Sequence, residues 1–152
     1  MTIINPKALA THTIGEDLKS ADDYLFEAEA LPNATSKTST AIRIGGTHAG
    51  VEIKSVADTA ATIAEDDTLT FAIQVSSDST DGTDGTFATV FSETITGAAG
   101  DTTVAVGESF HEPWVPNVEG DNSDVMWAKV VVTASADQSA SDVNTYIRAV
   151  RT

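Results

Sequence analysis

The sequence predicts an all-β fold, a single jelly roll or β-sandwich with an extended N-terminal arm, and three observations carry that expectation. Apolar and polar residues alternate strictly over Thr68–Ser76, eight or so such segments are separated by Gly-, Asp-, Asn- and Ser-rich turns, and no stretch sustains a helical period. The 152 residues match the size of one domain, and folding at that length buries roughly 68–70% of the unfolded chain's surface, enough for one core. The apolar 41% is drawn mainly from Ala, Val and Ile, and the rest is rich in Thr, Ser, Asp and Gly. That mixture favours strands and turns.

Residues 1–23 carry no sustained period: Leu9, Ile14 and Leu18 are scattered, and Pro6 and Gly15 interrupt them. They read as an extended arm ahead of a folded domain over 24–152; the plainer reading is a poorly ordered terminus, since chain ends are ordered only when something ties them down. Alternation starts at Tyr24, with Tyr24, Phe26, Ala28 and Ala30 on one face, Glu27 and Glu29 on the other, and Leu31-Pro32-Asn33 as the stop. Ile42 and Ile44 flank Arg43, then Val51 and Ile53 alternate with Glu52 and Lys54, giving two more short strands. Val56–Ala64 mixes helical spacing (Val56, Ala60, Ile63) with residues that suit an extended chain (Thr59, Thr62) and reads as a crossover.

In Thr68–Ser76, Leu69, Phe71, Ile73 and Val75 point one way, so a slip of one residue would expose four large apolar groups. Phe87–Ile95 forms a hairpin with it, and the two Asp-Gly pairs between them are turn signals. Val104 and Val106 mark a short strand. Phe110–Val115, next to Pro113 and Pro116, belongs at an edge or in a loop. Val125–Ala134 is nearly continuous apolar, as in a strand central to a sandwich, with Lys129 and Thr133 on a partly wet face; Asn144–Val150 is the last strand.

Twenty-three acidic residues against eight basic ones give a net charge of -15, which repels nucleic-acid phosphates and anionic membrane surfaces. Neither nucleic acid nor a membrane is an expected partner. There is no Cys, hence no disulfide, thiolate nucleophile or Cys-ligated zinc. The N-terminus lacks the basic start and apolar stretch of a secretory signal, and no segment reaches ~18 apolar residues, so synthesis in the cytoplasm is expected. The sequence contains no Gly-Lys-Ser/Thr phosphate loop, His-Glu-x-x-His helix or Gly-x-Ser-x-Gly elbow. His12, His48 and His111 fall in the arm, a glycine turn and the edge segment and read as solvated or capping residues. The expectation is therefore no enzyme and no cofactor.

Asp78, Asp81 and Asp84 gather three hard oxygen donors of the kind calcium prefers. The Asp-x-Asp-x-Asp-Gly spacing is not met and no downstream Glu stands at the required offset, so an acidic hairpin tip is the preferred reading. Trp127, inside the most apolar strand, reads as core. Trp114, near two prolines, reads as a surface or interface anchor. The hairpin of strand, acidic loop and aromatic strand, together with Trp114 as a sugar-stacking ring, motivates an alternative, a carbohydrate-binding jelly-roll module.

The order Val51-Glu-Ile-Lys-Ser-Val, Thr68-Leu-Thr-Phe-Ala-Ile-Gln-Val-Ser-Ser-Asp, Gly85-Thr-Phe-Ala-Thr-Val-Phe, then Val125-Met-Trp-Ala-Lys-Val-Val-Val-Thr-Ala and Thr145-Tyr-Ile-Arg-Ala-Val resembles the jelly-roll cement (decoration) proteins of tailed-bacteriophage capsids. The resemblance covers roughly residues 50–150 as a pattern of strands and turns, and the first 49 residues depart from it. It implies a homotrimer at local three-fold positions on the outer capsid surface of the virion, with N-terminal segments gripping neighbouring subunits of the major capsid protein. The residues it points to for such contacts are Leu9, Ile14 and Leu18 of the arm, with Phe110 and Trp114.

Overall fold

The structure, a computed structural model, describes residues 24–44, 51–111, 114–115 and 127–149. Within them the chain forms strands β1 (Tyr24–Ala30), β2 (Ser36–Thr38), β3 (Ile42–Arg43), β4 (Val51–Ala57), β5 (Ala61–Ile63), β6 (Thr68–Ser76), β7 (Ala88–Thr96), β8 (Thr102–Val104), β9 (Ser109–His111), β10 (Trp114–Val115), β11 (Trp127–Ala134) and β12 (Asp142–Ala149). Sheet one has the order β1-β12-β4-β10, with β9 also on β4; sheet two has the order β2-β11-β6-β7, with β3 also on β11; β5 and β8 form a separate ribbon. Every pairing is antiparallel. The architecture is an all-β sandwich. The arm over 1–23 lies outside the described residues.

The alternation in β6 is what closes the two sheets on each other. Leu69, Phe71 and Ile73 are buried on one face of β6, and Ala134, Val132 and Val130 of β11 stand beside them in register. Ile53 and Ala57 of β4 and Val143 of β12 supply the buried face of sheet one. Lys37 Nζ donates to Glu29 Oε1 at 2.8 Å and to the Ala30 carbonyl at 2.7 Å, tying β2 of one sheet to β1 of the other.

Three local expectations change. The strict alternation of β1 is broken by two register shifts against β12, so Leu25 and Phe26 are both buried while Ala28, at φ 43°, is exposed and donates its N–H to Asn144 Oδ1 at 2.7 Å. Val56–Ala64 is not a crossover: β4 runs through Ala57, and after a short turn Ala61 and Ile63 bury themselves in β5. Val106 is 66% exposed in the turn after β8 rather than part of a strand. Strand β2, with only Ser, Lys and Thr, has no apolar pattern to announce it; its pairing with β11 defines it.

The long edges are blunted. In β7 the register slips between Ile73 and Gln74, leaving Val90 without a cross-strand partner, a β-bulge. Glu93 stands opposite Phe71, on the core-facing side of an edge strand, and is exposed there. A bulge and an inward-directed charge are two devices that prevent a free edge from templating another strand. The two register shifts of β1 serve the opposite edge of sheet one in the same way.

Candidate functional site

The acidic hairpin tip is built from short side chains that turn back on their own backbone. Asp78 Oδ1 accepts from Ser76 Oγ at 2.6 Å and from the Thr86 N–H at 2.8 Å. Asp84 accepts from the Thr80 N–H (2.7 Å), Thr80 Oγ1 (2.6 Å) and Ser79 Oγ (2.9 Å). Asp81 accepts from the hydroxyl and N–H of Thr83 at 2.7 and 2.8 Å. Hydrogen bonds to the ionised form hold a carboxylate below its ordinary pKa: the Ser76 hydroxyl and Thr86 amide do so for Asp78, the Thr83 hydroxyl and amide for Asp81, and the Thr80 hydroxyl and amide, strongly, for Asp84. Each carboxylate serves its own turn, and no group of three metal-ligating side chains converges among the described residues. Asp78, Asp81 and Asp84 are caps of a loop.

That loop folds down on Trp127. Gly82, at φ 86°, sits so close to the indole that a Cβ there would lie 2.8 Å from Cε3. Trp127 alternates with the buried Ala128, so it projects to the outer side of sheet two and is covered by the hairpin rather than by the core. Its Nε1 is buried and meets no acceptor among the described residues.

A second cluster lies between the sheets. Ser55 Oγ is 2.7 Å from His111 Nε2 and 2.7 Å from Thr145 Oγ1. The His111 ring packs 4.9 Å from the Phe71 ring and 5.9 Å from the Phe91 ring. His111 is 3% exposed and Ser55 0%, so the reading of His111 as solvated or capping is overturned: pairing of β9 with β4 draws it inward. The Ser–His bond has the reach of a nucleophile–base pair, but a fully buried hydroxyl already shared with Thr145 offers no access to a substrate. Its chemistry is that of a buried hydrogen-bond relay.

Phe110 follows His111 inward. It is 4% exposed and stacks on Phe71 at 5.0 Å, making it a core residue of the single chain and not an outward-facing anchor. Trp114 sits in β10 opposite Glu52, at an edge of sheet one. Leu9, Ile14, Leu18, His12 and His48 lie outside the described residues.

The feature that sequence reasoning missed is the outer face of sheet two. Registers align Ser36, Thr133, Thr70 and Thr94 in one row, Thr38, Val131, Ala72 and Ser92 in the next, and Lys129, Gln74 and Thr89 in a third. Neighbouring hydroxyls pair across the strands: Ser36 with Thr133 at 2.7 Å and Thr70 with Thr94 at 2.8 Å. Lys129 Nζ lies 3.9 Å over the Phe87 ring. These rows contain no carboxylate. Acidic clusters lie at the two ends of the sandwich: Asp78, Asp81 and Asp84 in the tip that folds over Trp127 at one, and Glu65, Asp67 and Asp101 at the other, where the Glu65 N–H reaches Asp101 Oδ1 at 3.3 Å. The outward half of each alternating strand was the available signal, being Thr, Ser, Ala and Gln with Lys129 and Val131 in β11; only the register brings those halves together. No helix among the described residues is long and apolar enough to cross a membrane. No family model, no curated protein and no solved structure matches this chain.

Proposed function

We propose that the chain is a non-catalytic capsid decoration protein: a jelly roll that binds the outer surface of a phage capsid as a trimer and stabilises the lattice of the major capsid protein. One observation carries the reading, the interleaved strand order. With β2–β3 and β9–β10 each taken as one interrupted strand and the β5–β8 ribbon set aside, eight strands remain among the described residues. The first pairs with the eighth, the second with the seventh, the third with the sixth and the fourth with the fifth, the partners alternating between the two sheets. Such interleaving is what a long antiparallel ribbon, hinged at the β6–β7 hairpin and rolled up as a jelly roll, would give, and it supports that reading.

Viral capsid and lectin domains recur on this fold, an argument by analogy of fold. The resemblance over residues 50–150 favours the capsid member of that pair. The carbohydrate-binding alternative rests on the acidic-loop hairpin and Trp114; Trp127, beneath the hairpin tip, adds no open stacking ring to it. A strongly acidic exterior suits a protein that keeps a particle soluble and touches no packaged DNA. The test is cosedimentation of the purified full chain with capsids from which it is missing, together with the temperature at which those capsids rupture. Binding and a raised rupture temperature are expected; absence of binding overturns the proposal.

A further inference from the structure

We infer that His111 is an acid sensor built into the sandwich: the fold holds its imidazole neutral, so mild acid makes the chain easier to unfold. The starting point is where the ring sits. Pairing of β9 with β4 at Ser55 and Val56 carries His111 inward until it is 3% exposed. Strand β6 faces the ring with Phe71 at 4.9 Å and β7 with Phe91 at 5.9 Å. Phe110, its neighbour in β9, stacks on the same Phe71 at 5.0 Å. Strand β4 brings Ser55 Oγ to Nε2 at 2.7 Å, and β12 stands behind it with Thr145. Of the core-facing residues described in these strands, Glu93 alone is charged; it lies two positions beyond Phe91 and is exposed.

A proton on this ring would put a charge among aromatic and hydroxyl groups. Full burial disfavours a charged imidazole by up to about 10³–10⁵-fold. Two effects oppose burial and both are smaller. The faces of Phe71 and Phe91 attract a cation by about thirtyfold at most, and water screens the exposed Glu93. Ser55 does not discriminate between the two forms, because its hydroxyl donates to a neutral Nε2 and accepts from a protonated one. Burial therefore decides. In the unfolded chain the same ring takes up a proton at the ordinary histidine value of about 6.5. The contribution to stability is thus fully present above that value and is lost as the pH falls below it, the unfolding constant rising by up to about tenfold per pH unit for one proton. Since the unfolded chain takes the proton, the folded structure stays as it is over this range. Carboxylates titrate at about 4, well below the window in which His111 acts, and the device works whatever surface the protein binds.

His12 and His48 are the other histidines of the sequence, so the full chain carrying His12→Gln and His48→Gln has His111 as its one imidazole. Nuclear magnetic resonance of that ring is expected to show the carbon and nitrogen shifts of the neutral form from about pH 7.5 down to about pH 5.5, a unit either side of the ordinary histidine value. Urea unfolding supplies a second measurement. The unfolding constant of this chain, divided by that of the same chain with His111→Gln added, is expected to rise about tenfold over the same two units. Gln does not titrate and keeps a hydrogen-bonding group for Ser55, so the ratio reads the proton and not the lost packing. A ring that becomes protonated within this range while the chain is folded, or a ratio that does not change with pH, overturns the inference. If His111→Gln fails to fold, the ring shifts decide alone.

Discussion

Ser55 Oγ stands 2.7 Å from Nε2 of His111, and the same oxygen reaches Thr145 Oγ1, so one hydroxyl satisfies two buried neighbours on adjacent strands. Ser55→Ala removes both bonds at once. Stranding buried polar groups costs about 1–3 kcal/mol. The expected result is a lower urea midpoint with an unchanged slope, and a smaller loss for Thr145→Val, which leaves the Ser55–His111 bond in place. Equal losses for the two variants would show that Ser55 is not the hub.

Phe71 is 0% exposed and touches both Phe110 and His111 through its ring. Phe71→Ala is expected to destabilise by about 3–5 kcal/mol, the range for an aromatic side chain deleted from a core. Phe91→Ala, on a partly exposed edge position, should cost clearly less. Thermal unfolding of the two variants side by side measures the difference.

Gly82 and Gly100 both adopt positive φ, 86° and 89°, but only Gly82 has atoms within reach of an added methyl. Alanine at Gly100 meets the left-handed backbone strain alone, about 1–2 kcal/mol. At Gly82 the contacts with Trp127 and Ala41 add to it, and the hairpin tip has to lift off the indole. Gly82→Ala is expected to lower the melting temperature more than Gly100→Ala and to shift Trp127 emission to the red in a Trp114→Phe background.

Acid should loosen the hairpin tip before it affects the sheets. Asp78, Asp81 and Asp84 have folded pKa values below the ordinary 3.8 because hydroxyl and amide donors bind the ionised form. A depressed value means a contribution fully present above 3.8 and lost as the pH falls through the folded value. All three are solvent-facing, so the change is local. Amide shifts of Thr80, Thr83 and Thr86 should hold down to the ordinary carboxylate value and move beneath it, Thr80 last because Asp84 is depressed most. Movement well above that value would contradict the assignment.

The β6–β7 hairpin and the central place of β11 are legible because burial enforces a period of two, and Leu69, Phe71 and Ile73 spell it out. Strand β2 is not legible, since Ser36 and Thr38 face solvent and only their pairing with β11 makes them a strand. His111 and Phe110 were misjudged because two nearby prolines point to an edge. An edge strand of a sandwich still turns one side to the core, and β9 does so. Trp127 was misjudged for a related reason: an apolar strand seen as a string does not reveal that its first residue faces outward, under a loop that starts fifty positions earlier in the sequence. The aligned hydroxyl rows are a property of register, which no single strand encodes.

Sheet one has β12 hydrogen-bonded between β1 and β4, and the Ala28 N–H reaches an acceptor 116 residues away. During synthesis on a ribosome, β1 and β4 emerge long before the strand that joins them, whereas β6 and β7 zip together at once. The sandwich therefore closes only after β12 has been translated, in a step governed by long loops and slow by the rule that distant contacts delay folding. In that interval β1 and β4 are open to the same strands of sister chains, an exchange to which large β-rich proteins are prone. The irregular backbone of β1 works as an early safeguard, because a strand with two register breaks makes a poor template for anything except its own β12.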